Sequence, residues 1–253
     1  MFITNIKLVS IDLAKNSFQV CAINQAGKPM MNKKVNRNKL VETVLQLSPE
    51  QVVMEACYTA NYWGRKFQSY GIKADAIPAQ FVKAFVRGNK NDNNDALAIA
   101  EAASRPNIKW VPIKAIEQQD LQSIHRARER HIRNRTGLIN QTRGLLSEYG
   151  IVISKGVKVF QKQLPEILED ASNELSVAAR KLIYQLSEEL SQINQQIKQD
   201  EQLIDELVKD NEDYQRLLSV PGIGPILSSS LIAVGRQRRS STRQTKSLGG
   251  TGE

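Results

Sequence analysis

The stretch IKLVSIDLAKNSFQVCAINQAGKPMMNKKVN, residues 6–36, decides the fold. IKLVSIDLA is apolar and β-branched, SFQVCAIN repeats that character, QAGK has the composition of a turn, and PMMNKKVN carries the chain back. Short runs of this kind, bounded by Asn, Gly and Pro, read as strands. Three of them joined by short turns predict an antiparallel meander. Asp12 lies near the end of the first strand, and its neighbours Ile11 and Leu13 point to the opposite face of the sheet.

Working outward, the period changes. RNKLVETVLQL has helical spacing at Leu40, Val44 and Leu47, and Pro49 stops it. QVVMEA is a short buried strand ending in Glu55, and YTANYWGRKFQSYG is a helix that ends at Gly71. IKADAIP is another strand, AQFVKAFVRG a short helix ending at Gly88, and DALAIAEAASR a helix ending before Pro106. The order β-β-β-α-β-α-β-α-α over residues 1–110 predicts a mixed sheet with helices on its faces. The ribonuclease-H-like α/β fold has this order of elements.

Residues 111–215 carry few strand signals and read as a helical arm. The segment QQDLQSIHRARERHIRNRTGLINQTRGLLSEYG can form one helix, and the stretch from Ile151 to Lys162 reads as a link or kink. From Ile183 the spacing tightens: Ile183, Leu190, Ile197 and Ile204 recur every seven residues, as do Leu186, Ile193 and Leu207, with Asp200 interrupting the second row. That repeat predicts a coiled-coil seam. The first arm holds Arg126, Arg128, Arg130, Arg133, Arg135 and Arg143; the second holds Glu188, Glu189, Asp200, Glu201, Asp205, Glu206 and Asp210. Arms of opposite charge can pair within one chain or between two. Residues 216–235 read as helix, tight turn and helix, with the serines Ser228 to Ser230 on the helix surface, and the basic tail 236–253 is expected to be disordered.

The formal charge of +9 points to a polyanionic partner. No apolar run is long enough to span a bilayer, and MFITNIKLVSIDLAKNSFQV lacks the basic-then-apolar order of a signal peptide, so a cytoplasmic protein without membrane attachment is expected. Cys21 and Cys57 form no CxxC pair and the imidazoles are His125 and His131, which argues against zinc and against a disulfide framework.

Chemistry must therefore rest on carboxylates, hydroxyls or amines. Glu55 alone reads equally as a strand-end carboxylate that reaches solvent, and Asp92 with Asp95 reads as an N-cap and a first-turn acid. Taken together the four acids carry another meaning. Asp12 sits on a central strand, Glu55 on its neighbour, and the helix opened by Asp92 and Asp95 can pack beside both. Four hard oxygen ligands converging on one point suit Mg²⁺ or Mn²⁺, and two such ions roughly 4 Å apart support phosphodiester chemistry.

The segments IDLAK, VVMEACYTANYW, KNDNNDALAIAEA, DLQSIHRARERHIRNRTGLINQTRGLLSEYGI and LLSVPGIGPILSSSLIAVG occur in an order that resembles the DEDD transposases of the insertion-sequence 110 family, the bridge-RNA-guided recombinases. The resemblance runs from residue 7 to about residue 235. It implies a RuvC-like ribonuclease-H domain, a coiled-coil arm and the start of a C-terminal transposase domain. It implies that Asp12, Glu55, Asp92 and Asp95 bind Mg²⁺ and catalyse, and that an oligomer exchanges DNA strands under the guidance of a structured RNA from the same element. Asn91 stands where the family usually has Thr, and after Gly235 the family's apolar, Gly/Pro and serine-bearing segments are replaced by RQRRSSTRQTKSLGGTGE. The nucleophilic serine is not carried onto Ser240 or Ser241, and the change of composition is expected to reflect a shifted frame or a truncated, impaired copy.

Two further features bear on nucleic acid. Arg126, Arg130 and Arg133 share one helix face, with Arg128 and Arg135 on another; such a strip either neutralises phosphates or pairs with the acidic arm. VPGIGP places Gly222 and Gly224 in a turn resembling a helix-hairpin-helix, which either holds a phosphate or simply lets two helices cross closely. The leading reading is a transposase. The alternatives are a RuvC-like junction nuclease and a non-catalytic nucleic-acid-binding remnant.

Overall fold

The computed structural model describes residues 5–85 and 92–235; of Asp92 it describes only the backbone. Expectations for the tail 236–253, for a helix ending at Gly88 and for Asn91 lie outside the described residues. The chain divides into two compact units at Ile116/Glu117.

The first unit is built on strands β1 (Ile6–Asp12), β2 (Ser17–Asn24), β3 (Pro29–Asn36), β4 (Gln51–Glu55) and β5 (Lys73–Ile77). They form one sheet in the order β3-β2-β1-β4-β5. The β1–β2 and β2–β3 pairs are antiparallel, and β1–β4 and β4–β5 are parallel. The meander closes through Gly27, whose φ of 75° suits a residue without Cβ, and the Asn24 side chain accepts from the Lys28 N–H at 2.9 Å.

Helices cover both faces. On one lie α1 (Leu40–Leu47) and α2 (Ala60–Gln68). They bury Leu40, Val44, Trp63 and Phe67 against Val9, Ile11, Phe18, Val20, Val52 and Met54. On the other lie α3 (Ala79–Lys83) and α4 (Asp92–Ala103), whose Val82, Ala96, Ile99 and Ala100 pack on Leu8, Cys21, Ile23, Val53 and Ile77. Because β1 is central and covered on both sides, Leu8, Val9, Ser10 and Ile11 are all buried. The alanines of α4 let its backbone come close enough for the buried Ser10 hydroxyl to donate to the Ala96 carbonyl at 2.6 Å. Asp92 is the first helical residue of α4 rather than the residue before it.

The second unit consists of α5 (Ile116–Ser147), α6 (Val157–Glu169), α7 (Val177–Val208), α8 (Glu212–Leu218) and α9 (Pro225–Val234). The expected link over Ile151 to Lys162 is found over residues 151–156, and α6 begins at Val157. Phe160 and Leu164, four apart, supply its buried face, and Pro165 sits inside the helix without preventing it. Arg180 of α7 closes the end of α6, donating to the carbonyls of Leu168 at 2.6 Å and Asp170 at 3.1 Å.

Leu138, Ile139 and Leu146 of α5 share a core with Phe160, Leu164, Ile183, Leu190, Ile193 and Ile197. The first heptad row of α7 is buried throughout, whereas Leu207 of the second row is exposed. Ser228 and Ser229 are fully buried, against the expectation of a helix surface. Small side chains let α9 pack closely, and Ser229 donates back to the Pro225 carbonyl at 2.8 Å.

Candidate functional site at the strand ends and the basic helix

Strand parity places the first two acids. Leu8 and Val53 belong to the core beneath α4, and Val9, Ile11, Val52 and Met54 to the opposite one. Asp12 is two residues beyond Ser10 and Glu55 two beyond Val53, so both alternate onto the α4 face. The parallel register aligns Ser10 with Val53 and Ile11 with Met54, which brings Asp12 and Glu55 to neighbouring C-terminal strand ends. Both are half-buried.

The start of α4 is tied to the same edge by groups that the sequence did not single out. Asp12 faces Gln19 across the β1–β2 pair. The Gln19 amide donates to the side-chain oxygen of Asn32 at 2.7 Å and to that of Asn93. The Asn32 amide donates to the Asn93 carbonyl at 3.0 Å. Gln19 is buried although polar, which was the available signal: a glutamine at a core position of a strand needs partners. Asp95 follows in the first turn of α4 and is half-buried, while the Asp92 side chain lies outside the described residues.

Register and docking therefore gather Asp12, Glu55 and the first turn of α4 at one edge. Among the described residues no three His, Cys, Asp or Glu side chains stand as a group able to hold a metal. The neighbouring Cys21 thiol is pushed up to about 11 by burial, which outweighs its hydrogen bond with Ser10.

The arginines of α5 separate into two sets. Arg126, Arg130 and Arg133 are exposed. Arg128 instead pairs with Glu201 of α7 at 2.7 Å, and Arg135 donates to Asn194 at 3.4 Å. Arg143 donates to the carbonyls of Ser154 at 2.8 Å and Gly156 at 3.1 Å and lies over the Phe160 ring. Beside the exposed set, His131 Nδ1 meets Asp200 at 2.8 Å while Arg130 donates to Nε2 at 3.1 Å. That arrangement puts the ring proton on Nδ1. The opposite charges of the two long helices thus meet within one chain.

Between α8 and α9, Gly222 has φ of 86° and Gly224 caps α9. A Cβ at either would meet nothing within 4 Å, so the backbone of this turn is open.

A mixed five-stranded sheet with helices on both faces and acids at its central strand ends defines an α/β domain of ribonuclease-H-like architecture. Residues 9–151 match the model of the IS110-type DEDD family, described as transposase. The chain is 42% identical over 229 residues to the transposase for insertion sequence element IS1111A of Coxiella burnetii, covering 90% of this chain and 63% of that protein. It is 38% identical over 230 residues to a probable family 20 transposase of Pseudomonas aeruginosa, covering 90% of this chain and 68% of the other. It is 35% identical over 227 residues to the transposase for insertion sequence element IS1328 of Yersinia enterocolitica, again covering 90% of this chain and 67% of that protein. The chain belongs to the IS110-type DEDD transposase family. It spans about two thirds of the length of these relatives.

Proposed function

We propose that the chain acts on DNA phosphodiesters as a transposase of an insertion sequence. In this reading Asp12, Glu55, Asp92 and Asp95 hold Mg²⁺ or Mn²⁺. The observation that carries it is the register that sets Asp12 and Glu55 side by side on the face where α4 begins. The donors at this edge are the hard oxygens of carboxylates. That chemistry fits Mg²⁺ or Mn²⁺ and does not suit zinc. Bound there, the ion would supply Lewis-acid stabilisation of oxygen charge at phosphorus.

The chain's own groups prepare that edge. The Gln19–Asn32–Asn93 bonds fix the first turn of α4, and the Ser10–Ala96 bond fixes its distance from β1. Drawn together on one phosphate, the carboxylates would repel one another unless a cation lay between them. Arg126, Arg130 and Arg133 would take up phosphates, from DNA and from a structured guide RNA, through an electrostatic contact largely blind to sequence. The open backbone at Gly222 and Gly224 before α9 would hold a further phosphate, as in a helix-hairpin-helix. The long helices α5 and α7 would serve as the coiled-coil arm, through which copies of the chain assemble.

Manganese binding, followed by electron paramagnetic resonance, tests the metal site. The wild-type chain is expected to bind Mn²⁺, with Asp12→Asn and Glu55→Gln each weakening it about tenfold or more. Equal affinity in Asp12→Asn would remove the basis of the reading. Strand exchange between two plasmids that Asp12→Ala abolishes would establish the transposase, and Mg²⁺-dependent breakage of branched DNA alone would favour a junction nuclease. Salt-sensitive RNA binding without breakage would instead mark a purely binding protein.

A further inference from the structure

At the same end of the sheet, on the face opposite α4, a cation lies on an aromatic cluster. Trp63 meets Phe18 and Tyr62 edge to face, with ring centres 5.2 Å and 5.1 Å away. The Arg37 guanidinium lies 5.1 Å from the Trp63 ring centre and 6.0 Å from that of Tyr62. Arg37 is exposed, and among the described residues it forms no ion pair; it donates to the Lys15 carbonyl at 3.3 Å. Lys15 sits in the turn just past Asp12. Tyr62 is 49% exposed, and Tyr58, in the segment running from Glu55 to α2, is fully exposed.

Packing on Trp63 accounts for one side of Tyr62 and of Arg37, but not for the fully exposed Tyr58 or for the faces of Tyr62 and Arg37 turned to solvent. An exposed tyrosine contributes little apolar burial, and a guanidinium without a carboxylate leaves most of its donors to solvent. An aromatic surface carrying a cation is, however, what a nucleotide requires: a ring for the base and a positive group for its phosphate. In a duplex the base faces are already stacked on their neighbours, so such a surface favours an unpaired nucleotide.

We propose that Tyr58, Tyr62 and Arg37, with Lys15, form a stacking site for an unpaired nucleotide of the DNA strand led to the Asp12–Glu55 edge. The tyrosines take the base. Arg37, placed over Trp63, takes the adjoining phosphate with Lys15. The site rests on the DNA-processing reading above but not on the metal.

The test uses the full chain in EDTA, with fluorescence anisotropy of a labelled single-stranded oligonucleotide and of its blunt duplex. Tyr58→Ala and Tyr62→Ala are each expected to weaken single-strand binding about tenfold, with less than about a twofold change on the duplex. Tyr62→Phe should bind as the wild type does, because the ring remains. Arg37→Gln should weaken binding and reduce the salt slope on the single strand by about 0.7, the value for one phosphate contact.

Because Tyr58 is fully exposed, Tyr58→Ala keeps the fold and serves as the control for packing effects. Unchanged single-strand binding in both alanine variants, or equal losses on single strand and duplex, would overturn the proposal. Tyrosine-dependent binding by a chain that proves inert toward Mn²⁺ would sink the metal reading and leave this site standing. A wild-type chain that binds no oligonucleotide would sink both.

Discussion

Cys21 shows how a single position records its surroundings. It is wholly buried on β2 beneath α4, and burial pushes its thiol from 9.0 up to about 11. The folded state therefore keeps a proton that the unfolded chain releases at lower pH. The stability this group contributes is complete below pH 9 and is lost as pH rises from about 9 through 11, by up to about 3 kcal/mol. Denaturant titrations across that range are expected to fall more steeply for the wild type than for Cys21→Ala, and at neutral pH a thiol reagent should label the exposed Cys57 and spare Cys21. At this scale the alternation of a strand was enough to separate Asp12 from Ile11 and Leu13, whereas the β1–β4 register was needed to set Glu55 on the same face. Alternation could not reveal that Gln19 and Asn93 meet, because they lie 74 residues apart in the chain. Nor could a helical wheel show which arginines of α5 face solvent, since that depends on where α7 lies.

Among the elements, two glycines of helices separate close packing from mere tolerance. A Cβ at Gly64 of α2 would come within 2.5 Å of the Ile113 side chain, whereas one at Gly144 of α5 would meet nothing within 4 Å. Gly64→Ala is expected to cost about 1–3 kcal/mol through overpacking, and Gly144→Ala to stabilise by about 0.5–1 kcal/mol through backbone entropy. Thermal unfolding followed by circular dichroism would read opposite shifts of the midpoint. The meander, the parallel strands β4 and β5 and the two 32-residue helices are legible in sequence because each repeats its own apolar period. The helix α6 was not legible as one, because Pro165 and a short buried stripe of Phe160 and Leu164 give a weak signal until α5 and α7 supply the surfaces that cover it. Buried Ser229 was misjudged for a related reason: a hydroxyl bonded back to its own helix loses its polarity as a guide to exposure, whereas the hydroxyl of buried Ser228 finds no partner among the described residues.

For the whole molecule, the partition of positive charge sets what nucleic acid can feel. Arg126→Ala and Arg133→Ala are expected to weaken binding to any sequence and to lower the salt slope by about one per residue on duplex. Arg128→Ala should leave that slope unchanged, because its charge is already spent on Glu201, and should alter stability by no more than about 1 kcal/mol. Salt titrations of the three variants on one duplex check this. The sequence by itself determined the strand and helix order of residues 6–83, the two long helices, and membership of a transposase family. These follow from local period and from motifs that survive as strings. Only the tertiary structure decided that Arg128, Arg135 and Arg143 turn inward, that Gln19, Asn32 and Asn93 bind the start of α4 to the sheet, and that Arg37 lies on Trp63 near an exposed Tyr62. Those are meetings of side chains from distant segments, and the energy of a contact between them exists only once the chain has folded.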